Sequence, residues 1–181
     1  MKIVPLRLPG TFEVTLEPYL DERGYFVRTY DDEMFRELGL QTNWVQENQS
    51  RTLDKHTIRG IHFQLTPHAE TKLIRVVSGA LLDVFVDIRR RSDTYGQWDA
   101  LELTADNFKA AYVPKGFAHG FCTLADDTIA IYKVDAYYAP GHERGVRWND
   151  PTLNIDWPTD APDLSSKDAT QPLFRELESQ F

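Results

Sequence analysis

The sequence predicts an all-β fold, either a barrel or a sandwich, with a few short helices. Apolar and polar residues alternate with a period of two through most of the chain, and turn-forming residues separate these stretches at short intervals. Helical spacing is confined to two short stretches. The 181 residues, with 41% hydrophobic and 27% charged side chains, are typical of a globular protein. One domain, residues 1–181, is expected, and a chain of this size buries roughly 70% of its unfolded surface.

The predicted elements follow from these local patterns, taken in chain order. Strands are expected at 12–16, 24–30, 44–50, 58–64, 72–77, 81–88, 98–103, 110–113, 119–124, 128–135 and 146–148, with a turn at 18–22. Residues 31–39 predict a helix, because Asp31 can cap its first turn, apolar residues follow at helical spacing, and Gly39 can end it. A second helix is predicted at 172–178.

Charge and composition exclude several classes of protein. The formal net charge is -8, whereas duplex binding needs a positive surface that neutralises phosphates, so no nucleic-acid partner is expected. The run Arg89-Arg90-Arg91 is interpreted as a solvated turn. No apolar stretch approaches the ~20 residues of a membrane helix, and the first residues do not resemble a signal peptide. The sequence therefore predicts a cytoplasmic protein without membrane contact. The lone Cys122 fits a reducing compartment and is expected in the core.

The predicted strand at 57–64 carries polar residues where a structural strand would be apolar. Arg59, His62 and Gln64 stand among β-branched and aromatic residues. This mixture indicates either a strand lining a wet cavity or an edge strand with its polar residues in solvent. The strand alone does not decide between these two interpretations.

A second motif narrows the fold. Residues 114–119 have the spacing Pro-x-Gly-x-x-His, which resembles the second motif of cupins, the double-stranded β-helices or jelly rolls in which this turn delivers a histidine to the barrel mouth. Metal-binding cupins place a second histidine where this chain has Gln64, and glutamine is a poor ligand for zinc or iron. His68 and Glu70 lie on a predicted loop. We therefore expect no metal, with His68 and His142 exposed to solvent and His56 in a polar turn.

Without a metal, His62 suits acid–base chemistry. Imidazole, oriented by a carboxylate, abstracts protons near neutral pH. Two such groups facing each other could invert a carbon centre next to a carbonyl, with a cation at the developing enolate. The suitable side chains are His62, His119, Lys72 and Tyr132. Tyr132 is equally well interpreted as a wall residue tied by one hydrogen bond.

Taken together, the motifs resemble those of a known enzyme family. The matching strings occur in family order at 21–26, 45–50, 59–64, 72–75, 94–98, 114–121, 132–133, 137–138, 148–150, 155–158 and 166–168. Each string is weak alone, but their joint order over nearly the whole chain is specific. The chain resembles the dTDP-4-dehydrorhamnose 3,5-epimerases, which are cofactor-free cupins. The resemblance implies epimerisation of a dTDP-4-keto-6-deoxyhexose in deoxysugar biosynthesis, with no cofactor.

The resemblance also implies a role for individual residues. His62 would remove the protons at C3 and C5 with Asp168 as its carboxylate partner, Tyr132 would be the acid on the opposite face, and Lys72 would lie near the C4 oxygen. The implied substrate-binding residues are Arg23, Phe26, Arg28, Gln46, Asn48, Arg59, Gln64, His119, Tyr138, Glu143 and Lys167. Among these, arginines would hold the diphosphate and Tyr138 would stack on the base. Such enzymes are homodimers, in which Arg23 and Phe26 would reach the partner's pocket.

Three departures from a simple assignment stand out. Arg59 and His62 are three residues apart, so a regular strand would point them to opposite faces, unless Gly60 marks a bulge. Arg28 takes the place of the family's usual glutamate, which leaves the nucleotide open. The loop at 66–70 also differs, so action on another nucleotide-linked 4-keto sugar, or at C3 or C5 alone, remains an alternative. A metal-dependent cupin and a non-catalytic sugar-nucleotide binding module are further alternatives.

Overall fold

A computed structural model describes residues 1–177 and 181. Its strands are β1 (Lys2–Pro5), β2 (Phe12–Thr15), β3 (Tyr19–Asp21), β4 (Gly24–Phe26), β5 (Gln46–Thr52), β6 (Thr57–Gln64), β7 (Lys72–Ser78), β8 (Ala80–Asp87), β9 (Trp98–Thr104), β10 (Lys109–Val113), β11 (Phe117–Thr123), β12 (Thr128–Val134), β13 (Glu143–Gly145) and β14 (Asp163–Leu164). The helices are α1 (Asp32–Glu37) and α2 (Ser166–Ala169), and single 3₁₀ turns lie at Pro140–His142 and Phe174–Glu176.

The strands form two large sheets and one separate hairpin. The first sheet has the order β1-β2-β10-β7-β12-β5. The second has the order β13-β6-β11-β8-β9, with β14 beside β6. Strands β3 and β4 pair only with each other. The two large sheets are the walls of a double-stranded β-helix, so the all-β, jelly-roll prediction is confirmed.

Three apolar clusters hold these layers together. One lies between the sheets, where Ile74 and Val76 of the first sheet join Leu81 and Phe85 of the second. Another covers the outer face of the second sheet with the C-terminal tail, including Trp157. The third covers the outer face of the first sheet and contains residues of α1 and of the segment that follows it. The space between the sheets is thus filled with apolar side chains at one end, and the other end is open for a site.

The alternation of side chains along β6 shifts by one residue at Gly60. Ile58 and Ile61 are three residues apart, yet both belong to the outer cluster of the second sheet. The pairing of β6 with β11 shows a register shift at the same place, and Gly60 has φ +126°. A Cβ at Gly60 would lie 2.6 Å from the Cα of Gly120. Gly60 therefore allows an irregular backbone that no other residue fits without displacing β11.

One turn is anchored by polar contacts and another by a glycine. The carboxylate of Asp87 accepts hydrogen bonds from Arg89 (Nη2, 2.7 Å), Ser92 (Oγ, 2.6 Å) and Thr94 (Oγ1, 2.6 Å). Burial alone would raise the pKa of this carboxyl, but these hydrogen bonds lower it to about 2. The arginine run is in this turn, as predicted, but only Arg90 and Arg91 are exposed, whereas Arg89 is half-buried against Asp87. The Pro-Gly turn before β11 uses Gly116 with φ +87°.

Helix α1 and the buried Cys122 agree with the predictions made from the sequence. Helix α1 is confirmed, and the Asp31 side chain accepts a hydrogen bond from the Met34 N–H at 3.4 Å. Cys122 is buried, and burial raises the pKa of its thiol to about 11, as expected of a core residue. None of the helices in the described part of the chain has the length and apolar character to cross a bilayer.

Several element boundaries were predicted wrongly. The predicted turn at 18–22 and strand at 24–30 are the hairpin β3–β4, whose turn is at residues 22–23, with no strand at 27–30. The strand predicted at 146–148 is three residues earlier, as β13. The helix predicted at 172–178 is only a 3₁₀ turn within the described residues, and its last residue, 178, lies outside them. Strand β14 and helix α2 were not predicted, because their two and four residues are too few to show a period. Strand β1 was also not predicted.

The close packing at Gly60 leads to a prediction about stability. Gly60→Ala should lower the free energy of unfolding in urea by about 1–3 kcal/mol for the overpacked contact with Gly120, in addition to a backbone cost of the order of 1–3 kcal/mol for its positive φ. Gly24→Ala is the matched control, because Gly24 has a similar φ of +132° but no atom within 4 Å of its added Cβ. Equal stability losses in the two variants would contradict this account of Gly60.

Candidate active site

Two adjoining cavities open between the sheets. The first has a volume of about 530 Å³ and is lined by β6, β11 and the 163–168 segment on one side and by β5, β7 and β12 on the other. The second, of about 440 Å³, continues along β5 and β6. His62, Lys72 and Tyr132 line both cavities. The predicted acid–base residues therefore meet where the cavities join, and the strand that carries His62 lines a cavity and is not a solvated edge.

Asp168 is held against His62 by a short helix. The Ser165 hydroxyl caps α2 and accepts a hydrogen bond from the Asp168 N–H at 3.1 Å. The Asp168 side chain is almost fully buried, and its Oδ1 lies 2.6 Å from His62 Nε2. The predicted pair thus forms across 106 positions of sequence.

The charge of Asp168 determines which nitrogen of His62 is basic. Burial alone would raise the pKa of Asp168, but its hydrogen bonds, above all the one with His62, hold that pKa below its usual value. An ionised carboxylate can only accept, so His62 Nε2 carries the proton. Nδ1 of His62 is then the nitrogen with a free lone pair.

A second carboxylate lies on the other side of the imidazole. Glu143 Oε1 is 3.9 Å from His62 Nδ1, too far for a hydrogen bond. Its Oε2 accepts from the Tyr138 hydroxyl at 2.9 Å and pairs with Lys167 Nζ at 2.5 Å. Burial alone would raise the pKa of Glu143, but the hydrogen bonds from Lys167 and Tyr138 lower it. Glu143 therefore stays ionised beside the imidazole.

Tyr132 and Lys72 face His62 from the opposite sheet. Tyr132 belongs to β12 and Lys72 to β7, both in the first sheet, whereas His62 belongs to β6 in the second. Among the described residues, no hydrogen bond to the Tyr132 hydroxyl is seen, which does not fit a wall tyrosine tied by one bond. Lys72 Nζ contacts Glu70 Oε1 at 3.1 Å.

Arg59 shares the first cavity with His62. The shift at Gly60 turns both side chains to the inner face of β6, and both line the first cavity. Among the described residues, the guanidinium donates only to neutral oxygens, Thr52 Oγ1 at 3.0 Å and the Arg51 carbonyl at 3.4 Å. Lys167 lines the same cavity and is also exposed. Two cations at the open part of the cavity suit an anionic ligand.

His119 is deeper in the first cavity and carries its own carboxylate. Its Nε2 lies 2.7 Å from Oδ1 of Asp83, which is fully buried. Oδ2 of Asp83 has no hydrogen-bond partner among the described residues. His119 pairs directly with His62 across β11 and β6. The turn that precedes β11 thus delivers His119 to the cavity as the motif predicted.

The second cavity gathers most of the remaining predicted binding residues. Gln46, Asn48, Tyr138 and Glu143 line it, and Gln46 Oε1 accepts from the Tyr138 N–H at 2.9 Å. Gln64 also lines it, but this residue is only 3% exposed. Its amide is already bonded within the protein, so Gln64 is placed as a support of the cavity wall.

Three predicted binding residues lie outside both cavities of this chain. Arg23 and Phe26 are on the exposed β3–β4 hairpin, and the Arg23 guanidinium pairs with Asp21. Arg28 is exposed and pairs with Asp31 at 3.1 Å, beside the start of α1. The predicted contacts of these three residues with a ligand therefore stay predictions.

Sequence reasoning missed three residues that support the site. They are Asp83 behind His119, Glu70 beside Lys72, and Ser165 at the cap of α2. Asp83 gave a usable signal, because a carboxylate in the apolar stretch at 81–86 must have a buried partner. The other two gave none, since their roles depend on contacts that local patterns do not encode.

The remaining histidines form no metal site. Within the described ranges, no three His, Cys, Asp or Glu side chains are grouped as metal ligands. The rings of His68 and His142 pack at a centroid distance of 4.4 Å, and both are half-buried, so the expectation of solvent exposure was wrong. His56 lies in the turn before β6, as expected.

The chain is similar to known proteins over nearly its whole length. Residues 5–176 match the family model of dTDP-4-dehydrorhamnose 3,5-epimerase. The dTDP-4-dehydrorhamnose 3,5-epimerase of Sinorhizobium fredii is 46% identical over 162 residues, which cover 89% of this chain and 83% of that relative.

Solved structures are similar over the same length. The dTDP-4-dehydrorhamnose 3,5-epimerase of Bacillus anthracis, with TDP and PPi bound, has a TM-score of 0.92 and 45% identity and covers 95% of this chain and 98% of its own. The dTDP-6-deoxy-D-glucose-3,5-epimerase of Legionella pneumophila, in complex with dTDP-4-keto-L-rhamnose, has a TM-score of 0.93 and 36% identity and covers 98% and 94%. The chain belongs to the dTDP-4-dehydrorhamnose 3,5-epimerase family.

Proposed function

We propose that this protein is an isomerase that epimerises C3, C5 or both in a dTDP-linked 4-keto-6-deoxyhexose. The observation that carries the proposal is that a histidine paired with a carboxylate faces a tyrosine on the opposite sheet, whose hydroxyl has no hydrogen bond among the described residues. His62 is the base and Tyr132 is the acid. Inversion needs proton removal on one face of a carbon and proton delivery on the other, which this placement permits. The likeness to an epimerase with dTDP-4-keto-L-rhamnose bound supports the substrate class.

The first step is abstraction of the proton next to the C4 carbonyl. Nδ1 of His62 takes the proton, the electron pair of the C–H bond becomes the enolate, and the negative charge gathers on the C4 oxygen. Asp168, hydrogen-bonded to Nε2, stabilises the imidazolium that forms. The Lys72 ammonium stabilises the oxygen.

The second step returns a proton to the opposite face. The Tyr132 hydroxyl gives its proton to the carbon, the C4 carbonyl re-forms, and Tyr132 is left as a phenolate. Exchange with solvent returns His62 and Tyr132 to their starting states. The step is a pair of proton transfers with no net oxidation, so it consumes no redox cofactor.

The remaining polar groups supply binding. Arg59 and Lys167 hold the diphosphate, since their charges line the same cavity as His62. The nucleotide base stacks on Tyr138 in the second cavity, beside Gln46 and Asn48. TDP in the B. anthracis relative supports this nucleotide. Other nucleotides remain the alternative, because Arg28 replaces the usual glutamate.

The active form is a homodimer. Tyr19, Leu20 and Phe26 are 74%, 78% and 67% exposed on the β3–β4 hairpin, which belongs to neither large sheet. Arg75, on the outer face of the first sheet, is half-buried without an ion pair among the described residues, and burial lowers its pKa. A second copy of the chain would cover both features and bring Arg23 and Phe26 to the partner's cavity. The single domain, the cytoplasmic location and the independence from metals remain predictions.

The reaction is tested by solvent exchange. When the enzyme acts on dTDP-4-keto-6-deoxyglucose in deuterated water, NMR should show deuterium at C3, C5 or both of the epimerised sugar, because each abstracted proton is replaced from solvent. Deuterium at both positions indicates double epimerisation, and at one position a single epimerase. His62→Ala should abolish exchange at every position.

Two outcomes would contradict the proposal. Binding of the sugar nucleotide without exchange at any position would indicate a non-catalytic binding module. Loss of exchange on treatment with a chelator, with recovery on adding metal, would indicate a metal-dependent cupin.

The dimer is tested by sedimentation equilibrium. The wild-type protein should have about twice the 20.9 kDa mass of one chain. Phe26→Ser should weaken association and raise KM for the sugar nucleotide, because one change removes both an interface contact and a pocket contact. Leu53→Ser is the matched control, since Leu53 is 63% exposed on the turn between β5 and β6. A wild-type monomer with full activity would overturn the assignment of a dimer.

A further inference from the structure

Glu70 lies in the second cavity and has no part in the proton transfers described above. It is on the loop between β6 and β7, where the sequence departs from the family pattern. Its side chain is 14% exposed, and Oε1 contacts Lys72 Nζ at 3.1 Å. No other ion pair or hydrogen bond of this ammonium is seen within residues 1–177 and 181. Glu70 is thus the one contact in that range that fixes the end of Lys72.

The carboxylate of Glu70 is itself held from its other side. Its Oε2 accepts from Gln64 Nε2 at 3.3 Å. Gln64 is fixed in turn, because its Oε1 accepts from the Ala139 N–H at 2.7 Å and its Nε2 donates to the His68 carbonyl at 3.0 Å. A continuous chain of contacts therefore runs from the backbone at Ala139 to the ammonium of Lys72.

We propose that Glu70 is a positioning residue, which holds the Lys72 ammonium where negative charge develops on the C4 oxygen. This inference rests on the proposed function. A lysine side chain has a flexible four-carbon stem and loses much conformational freedom when its end is fixed. Contact with Glu70 fixes it before the ligand arrives and uses one of its three N–H donors. Two donors are left for the substrate oxygen.

Glu70 is proposed to assist the reaction by fixing the position of Lys72, and not through its own negative charge. Its negative charge opposes the negative charge on the enolate, so it weakens the attraction that Lys72 exerts. Coulomb energy falls with distance, so an ammonium in contact with the oxygen still attracts it more than the carboxylate behind it repels it. A neutral acceptor of the same shape should therefore serve equally well. This separates positioning from an electrostatic role.

Two substitutions test the proposal by NMR measurement of kcat and KM. Glu70→Ala should lower kcat by about 100-fold with KM little changed, because a misplaced group loses about this much and Lys72 acts on charge that exists only in the transition state. Glu70→Gln should stay within about threefold of wild type, since its amide oxygen can accept from Lys72. If the substitution removes the hydrogen bond from Gln64 Nε2 to residue 70, this amide still donates to the carbonyls of His68 and Tyr137.

A double-mutant cycle shows whether Glu70 acts through Lys72. In a Lys72→Met background, Glu70→Ala should lower kcat no further. Glu13→Ala is the matched control, because Glu13 holds Lys109 at 3.0 Å in a similar pair away from the cavities. Thermal unfolding of each variant separates loss of activity from loss of fold.

Crystal structures provide a readout that does not depend on the reaction. Lys72 should occupy one conformation in the wild type and in Glu70→Gln, and several in Glu70→Ala. A fixed Lys72 in Glu70→Ala would overturn the inference, even if the enzyme has no activity on the sugar tested. With an active wild type, equal losses in Glu70→Gln and Glu70→Ala, or a further loss in the Lys72→Met background, would also overturn it. An inactive wild type whose Lys72 becomes disordered in Glu70→Ala would contradict the proposed substrate alone.

Discussion

The site depends on the close approach of β6 and β11 at two glycines. A Cβ at Gly60 would lie 2.6 Å from Gly120 Cα, and a Cβ at Gly120 would lie 2.8 Å from the Arg59 carbonyl oxygen. Only this pair without side chains permits the local path of β6. Because the alternation shifts there, Ile58 and Ile61 both reach the outer core, and Arg59 and His62 both reach the cavity. In a regular strand, Ile58 and Ile61 would point to opposite faces, and so would Arg59 and His62. Only one residue of each pair could then reach its place in the core or in the cavity.

Most of the charged side chains in the cavities are already paired with an opposite charge before any ligand binds. His62 contacts Asp168, Lys72 contacts Glu70, and Lys167 contacts Glu143. These pairs let a chain with a net charge of -8 gather cations in one place. Arg59 differs, because its partners among the described residues are neutral oxygens. Its positive charge is therefore available to an anion, which fits a diphosphate better than a neutral ligand.

The sequence predicted the sheets and much of the site, for identifiable reasons. Alternation located β6, β7, β8 and β12 because these strands are long and have one face in the core. The motif at 114–119 placed His119 correctly because a Pro-Gly turn constrains the chain locally. The resemblance paired His62 with Asp168, which no local pattern could do across 106 positions. The bulge at Gly60 was one of two alternatives, and the structure decided between them.

The parts that the sequence did not predict depend on contacts between distant segments. Helix α2 is a single turn fixed by Ser165, and the Glu70–Lys72 pair depends on the path of a loop. The β3–β4 hairpin was predicted as a turn and a strand, because most of its apolar residues are exposed and give no periodic pattern of burial. The proposed contacts of Arg23 and Phe26 with a ligand likewise depend on a second molecule, which a single chain does not encode locally.

In the proposed reaction, His62 and Tyr132 act on opposite faces of one carbon. The most direct test is to measure by NMR where solvent deuterium is incorporated by the Tyr132→Phe variant. Tyr137→Phe is the control, because Tyr137 is an exposed tyrosine outside the two cavities. We expect Tyr132→Phe to incorporate deuterium into recovered substrate of unchanged configuration, since His62 still abstracts the proton and its side chain is 23% exposed to solvent. Formation of the epimerised sugar should fall by about 100-fold or more. Epimerisation at the wild-type rate in Tyr132→Phe would contradict the account.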